Sequence, residues 1–256
     1  MPSTTTEKPT TAVELVRDGH VATLTLTTPA GVNILSSPTL GELKVHVERL
    51  ASDSTVRFVV FRGAGKVFAA GADIAAMRTF DEHQGKAYST NGHHIFDAIE
   101  AMPQVTFAAI AGAALGGGCE LAMACDFRLA TANAKLGQPE SRLGLIPGWG
   151  GTIRLPRLIG LSQARRLMFT GESVTADEAL KLGLVDEVFA DAAALETGLK
   201  SWMTKMLPGS PEAIRRIKHA VSKHDEIAQF GRCFSCEDAK DGMAAFLEKR
   251  SPSWVG

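Results

Sequence analysis

Short apolar runs of strand length return along this chain at intervals, each followed by a helical pattern and each junction marked by glycine. Residues 56–61 and 105–110 form such runs, and 126–130 and 185–189 read as further strands. Leu40, Leu43, Val47 and Leu50 recur at helical spacing behind Ser37 and Pro38, and 84–102 carries a second helical pattern that stops at Pro103. Helices are expected to start at Ser162 and Thr175, the latter with a capping box closed by Glu178. A chain that keeps switching between these two periods builds an α/β body, with neither helices nor strands segregated. Ahead of that body, Val13 and Leu15, then Ala22, Leu24 and Leu26, alternate around Asp18-Gly19 and predict a hairpin. Behind it, 191–207, 211–221 and 225–250 read as helix alone. The expected division is therefore a flexible tail over 1–10, an α/β core over 11–190 and a helical region over 191–256.

The charge balance narrows the function. With a net charge of -1 over 256 residues there is no basic footprint for a nucleic acid. The one compact basic cluster, Arg215-Arg216-x-Lys218-His219, reads as a solvated helix face. No apolar run is long enough for a bilayer and none resembles a secretory leader, so a cytoplasmic setting without a membrane is expected. Cys233-x-x-Cys236 has no second ligand pair beside it and sits in a helical pattern, which favours two reduced helix cysteines over a metal site. His93 and His94 diverge on a helix and cannot share an ion. Neither a metal nor a cofactor is expected.

Three segments carry chemistry. Phe68-Ala69-Ala70-Gly71-Ala72-Asp73-Ile74 follows an apolar run and precedes a helical pattern, and its small residues let a ligand approach the backbone. Leu115-Gly116-Gly117-Gly118-Cys119-Glu120 sets three glycines before a helix, with unpaired amides and the positive dipole end facing any developing negative oxygen. It lacks the Lys-Ser/Thr pair of a phosphate loop and the spacing of a dinucleotide fingerprint. Residues 136–152 form a rigid stretch punctuated by glycine and proline, in which Glu140, flanked by Pro139 and apolar residues, is placed to have its pKa raised.

In this order and at these separations the segments resemble the enoyl-CoA hydratase/isomerase (crotonase) superfamily, and so does the ending 241–250, Asp-Gly-Met-Ala-Ala-Phe-Leu-Glu-Lys-Arg. The likeness covers all but about the first ten residues. It implies a crotonase-like spiral of ββα units with a C-terminal helical oligomerisation region, assembled as a homotrimer or a dimer of trimers. It also implies an acyl-CoA substrate, with coenzyme A entering as part of that substrate. On this resemblance the N–H groups of Ala72 and Gly117 form an oxyanion hole, and Glu120 and Glu140 occupy the two hydratase carboxylate positions. Ala69, Ala70, Gly71, Asp73, Ile74 and Gly148 would bind substrate, and Lys66 and Lys249 would be partners for its phosphates.

Isomerases of this superfamily usually match the hydratases at one carboxylate position, whereas this chain matches at both. That favours hydration of a trans-2-enoyl-CoA to a 3-hydroxyacyl-CoA, as in the β-oxidation of fatty acids. The alternatives are 3-enoyl/2-enoyl-CoA isomerisation or another acyl-CoA reaction such as thioester hydrolysis. Val32-Asn33-Ile34-Leu35 where the family often has Asn-Ala-Leu, Leu136 in place of a frequent Phe, and Trp149 beside the Pro147-Gly148 turn imply an unusual acyl pocket.

Overall fold

The computed structural model describes residues 10–255. The expected flexible tail lies, but for Thr10, outside the described residues. The opening hairpin forms as its alternation predicts: β1 (Ala12–Asp18) pairs antiparallel with β2 (Val21–Thr27), the chain reversing at Gly19-His20. Ala22, Leu24 and Leu26 point inward. Helix α1 (Ser37–Ala51) starts one residue earlier than the proline suggests, because Ser36 caps it through the Thr39 N–H.

Three consecutive stretches then repeat one scheme, a long strand followed by a short one. They are β3 (Phe58–Gly63) with β4 (Val67–Ala69), β5 (Val105–Ile110) with β6 (Ala113–Leu115), and β7 (Phe127–Thr131) with β8 (Lys135–Gly137). The long strands join β2 and the late β10 (Glu187–Phe189) in a six-stranded sheet ordered β1-β2-β3-β5-β7-β10. The short ones join β9 (Ser173–Thr175) in a second sheet ordered β4-β6-β8-β9. Beyond the hairpin every pairing in the large sheet is parallel, so each turn of the chain adds one strand to each layer and the body is wound as a spiral.

Between the strand pairs lie α2 (Ile74–Met77), α3 (Glu82–Glu100) and α4 (Gly117–Ala124). After β8 come a 3₁₀ turn over Glu140–Leu143, then α5 (Gly151–Ile159), α6 (Leu161–Thr170) and α7 (Ala176–Leu182). Thr175 caps α7 through the Glu178 N–H as expected, while α6 begins at Leu161 rather than Ser162.

The uninterrupted apolar character of β3 and β5 follows from burial on both faces. Val59, Phe61, Ala108 and Ile110 enter the main core with α1, α3 and α4. Phe58, Val60, Val105 and Phe107 face the other way, onto Leu195, Leu199 and Met203 of α8 (Ala192–Met206). The first helix after Asp191 is thus a layer of the body.

Three further helices follow: α9 (Pro211–Lys223), α10 (Glu226–Cys233) and α11 (Glu237–Glu248). The single helix expected over 225–250 is broken by a turn in which Cys236 N–H donates to Cys233 O at 3.0 Å. Their faces leave Phe246, Ile227, Leu247, Val221 and Phe230 exposed. Among the described residues no helix is long and apolar enough to cross a membrane.

Candidate active site

The segment after β4 is held from behind. Buried Asn33 donates from Nδ2 to the carbonyls of Val67 (2.9 Å), Ala64 and Phe68. Ala70 N–H donates to Asn33 O and Leu35 N–H to Gly71 O, at 2.8 and 2.9 Å. The frame is therefore made by Asn33 and Leu35, the two residues shared with Asn-Ala-Leu, while Ile34, where the sequence departs from it, is outside the cleft lining. This frame directs residues 70–72 at the glycines before α4. A Cβ at Gly71 would lie 3.0 Å from Leu115 O and 3.5 Å from Gly117 N. Among the described residues neither the Ala72 nor the Gly117 N–H finds an acceptor. Two segments distant in sequence thus bring free amides to one place, and one belongs to a helix N-terminus with its partial positive charge.

Gly116 turns the chain into α4 with a φ of 52°, open to glycine at little cost, and a Cβ there would meet Glu140 Oε1 at 2.9 Å. At Gly117 a Cβ would strike the Trp149 indole at 2.4 Å. The glycine run therefore serves turn geometry and close packing at once.

Glu120 lies in the first turn of α4 and is only 2% exposed. Its Oε1 accepts the N–H of Trp149 and of Gly151, both at 2.7 Å. Burial raises its pKa, against the lowering effect of those two donors and of the Arg154 guanidinium. Arg154, itself buried, binds the same turn through Trp149 O (3.0 Å) and is anchored by Glu100 (2.9 Å) and Asp97. The Trp149 indole fills the space over Gly92 and Gly117, edge-on to Phe96 with ring centres 5.6 Å apart, and donates from Nε1 to Tyr88 O at 3.3 Å.

Glu140 opens the 3₁₀ turn after β8 and is partly exposed. Burial, with a smaller contribution from the charge of Glu120, pushes its pKa up to about 7, while its own backbone N–H acts the other way. With the Gln138 amide turned so that both groups are satisfied, its nitrogen donates to the two Glu140 oxygens at 2.9 and 3.1 Å.

Both carboxylates open into one cleft of about 560 Å³, together with Ala70, Gly71, Ala72, Ile74, Gly117 and Gly148. Other residues expected at the site lie elsewhere. Ala69 is fully buried beneath the cleft, and Asp73 caps α2 by accepting the Ala75 and Ala76 N–H groups. Lys66 is exposed on the turn before β4 and Lys249 is exposed at the end of α11, both outside the lining. The apolar wall comes from Met77, Phe80, Tyr88, Leu143, Leu145 and Ile146, none of them singled out in the sequence. The exposed Leu145 and Ile146 beside Pro147 were the available signal, an apolar pair inside an irregular stretch.

A spiral of two sheet layers, with free amides and two raised carboxylates on one apolar cleft, defines an enzyme of the crotonase class. The family model for enoyl-CoA hydratase/isomerase matches residues 17–256. The short-chain-enoyl-CoA hydratase of Clostridium acetobutylicum is 41% identical, over 93% of this chain and 95% of its own. The crotonyl-CoA hydratase of Syntrophomonas wolfei is 40% identical, over 94% and 96%. Among solved structures, the enoyl-CoA hydratase from Bacillus anthracis superposes with a TM-score of 0.86 at 35% identity, covering 95% of this chain and 99% of that one. DspI of Pseudomonas aeruginosa reaches 0.89 at 33% identity, over 99% and 100%. The chain belongs to the enoyl-CoA hydratase/isomerase family.

Proposed function

We propose that this protein adds water across the double bond of a trans-2-enoyl-CoA to give the 3-hydroxyacyl-CoA. The observation that carries this reading is the convergence of Glu120 and Glu140 on one cleft beside the unpaired N–H groups of Ala72 and Gly117. The names of the two hydratase relatives support it. In the proposed reaction the thioester carbonyl lies between the two N–H groups. As hydroxide character develops at C3, charge moves through the conjugated system onto that oxygen, where two preorganised donors contribute several kcal/mol. Glu120, with Oε1 pinned by two donors, keeps Oε2 for a water and takes its proton. Glu140, half protonated near neutrality, gives its proton to C2. The carboxylates end with their protons exchanged in role, and solvent resets them. No metal or cofactor takes part in this scheme.

Isomerisation between 3-enoyl and 2-enoyl forms is the second activity such a site supports, with Glu140 as the group that would move the proton at C2. We further propose association as a homotrimer or dimer of trimers through the apolar faces of α9 to α11, where Ile227 and Phe246 are almost wholly exposed. The deciding measurement follows loss of the conjugated enoyl absorbance and release of free thiol in parallel, across acyl chain lengths. Hydration removes the absorbance with no thiol; thiol release at the same rate would make the protein a thioesterase and overturn the reading.

A further inference from the structure

The cleft has two unlike ends. Glu82, Lys86, Leu143 and Ile146 line it where they are exposed, whereas Gly117, Glu120 and Trp149 line it where they are buried. An aromatic wall joins the two. Half-buried Phe80 packs against Tyr88 with ring centres 5.4 Å apart, and Tyr88 packs against Trp149 at 5.2 Å. Trp149 is only 3% exposed, and behind it stands the fully buried Phe96. The wall therefore ends in the core, with Trp149 as the last residue of the row that the cleft reaches.

The chain makes room for this indole at depth. Gly92 lies in the middle of α3 with ordinary helical backbone, a place where glycine weakens a helix. A Cβ there would lie 2.2 Å from both Cδ1 and Nε1 of Trp149. Glycine at 92 thus serves the ring and not the backbone. The opposite edge of the indole lies on Gly117, where Cζ3 and Cε3 would stand 2.4 and 2.6 Å from a Cβ. Nε1 donates to Tyr88 O, and the Trp149 main-chain N–H donates to Glu120. Ring and backbone are both held, so the indole is a fixed stop at the buried end of the cleft.

Given the hydratase reading of the cleft, on which this assignment rests, we propose that Trp149 is the specificity-determining residue for acyl length and restricts the enzyme to short straight-chain trans-2-enoyl-CoA thioesters, crotonyl-CoA first. With the carbonyl oxygen between the Ala72 and Gly117 N–H groups, the hydrophilic coenzyme A arm leaves through the exposed end of the cleft. The acyl tail then points to the buried end. C3 faces Glu120, and Trp149 is the residue whose N–H holds Glu120 and whose ring covers Gly117. Carbons beyond C3 run against the indole, and a long tail has to fold back toward solvent and lose its burial. A tail one methylene too long for a rigid apolar pocket is disfavoured by about tenfold or more.

The test follows loss of the enoyl absorbance with crotonyl-CoA and with the trans-2-hexenoyl, octenoyl and decenoyl thioesters, for the parent, Trp149→Phe and Trp149→Leu. All three proteins keep the main-chain N–H that holds Glu120. The quantity read is kcat/KM for decenoyl-CoA divided by that for crotonyl-CoA. In the parent this ratio should be about one tenth or less, and Trp149→Leu should raise it by at least about tenfold. Trp149→Phe should fall between them. A packing role alone would lower both substrates together and leave the ratio unmoved. Should Trp149→Leu fail to fold, Trp149→Phe, which keeps a ring against Phe96, reads the same ratio, and no rise in it would overturn the proposal. A parent that hydrates decenoyl-CoA as efficiently as crotonyl-CoA, or a folded Trp149→Leu with a smaller rise than expected, would overturn the role of Trp149 and leave the hydratase reading standing. A parent that hydrates no chain length would overturn both.

Discussion

Glu120 and Glu140 are the same residue type opening into the same cleft, yet the chain holds them in opposite ways. Glu120 stands on a regular helix, and one of its oxygens is clamped by two N–H groups of a turn that Arg154 in turn grips. Glu140 stands on a 3₁₀ turn, half-exposed, with the Gln138 amide as its side-chain partner. Rigid support with one oxygen free suits a group that must aim a water. Partial burial without a cation suits a group that must hold a proton near neutrality and release it. Two carboxylates separated in this manner can be assigned different halves of one reaction.

The sharpest way to break the comparison is to remove each proton in turn. Glu120→Gln and Glu140→Gln should each lower kcat about 10²- to 10⁴-fold with KM nearly unchanged, because size and hydrogen-bonding shape persist. The variants should part in deuterium exchange at C2 of the acyl-CoA. Glu120→Gln should keep some exchange, and Glu140→Gln should lose it along with hydration. Equal loss of exchange in both would merge the two roles. Hydration by Glu120→Gln at the parent rate would remove Glu120 from the chemistry and leave Glu140 as the single catalytic carboxylate.

A smaller effect separates the support from the group supported. Arg154→Met removes the grip on Trp149 O and the cation nearest Glu120. We expect kcat to fall about tenfold, close to 1.4 kcal/mol, with KM little altered. Losing a cation raises the Glu120 pKa further, so the acid limb of the rate profile should move to higher pH. A fall in kcat with an unmoved acid limb would leave Arg154 a packing residue alone.

The strand and helix rhythm and the three glycine-rich segments were legible in the sequence because each follows from local chemistry. Val105–Ile110 matches its apolar run end to end, since a strand buried on both faces needs no alternation. The second sheet was not legible: its strands are three residues long and carry no period. Helix α5 was missed because Gly148, Gly150 and Gly151 read as loop, although Gly151 is both its first residue and a donor to Glu120. Arg154 and Gln138 were invisible for a different reason. Each acts on a glutamate through space, and a buried arginine at a helix position looks like any other until its partners are located.

The last effect is one of stability rather than of rate, and the two glutamates should show it with opposite signs. Glu140 has its folded-state pKa raised to about 7 from the ordinary 4.5, so between those values the folded protein binds more protons than the unfolded chain. Stability therefore falls as pH rises through that window, and above it the folded state carries the full cost of an ionised, partly buried carboxylate. Glu140→Gln removes that cost. After discounting for its exposure, the variant should be more stable than the parent by on the order of 1–2 kcal/mol near pH 8, with no gain below about pH 4.5. Glu120→Ala should go the other way at every pH. It strands the buried N–H groups of Trp149 and Gly151 without an acceptor, costing about 2–4 kcal/mol together. Urea denaturation of the three proteins at about pH 5 and about pH 8 reads both signs at once. A Glu140→Gln protein no more stable than its parent at the higher pH would mean that Gln138 already compensates the charge, and the contrast between the two carboxylates would then rest on their geometry alone.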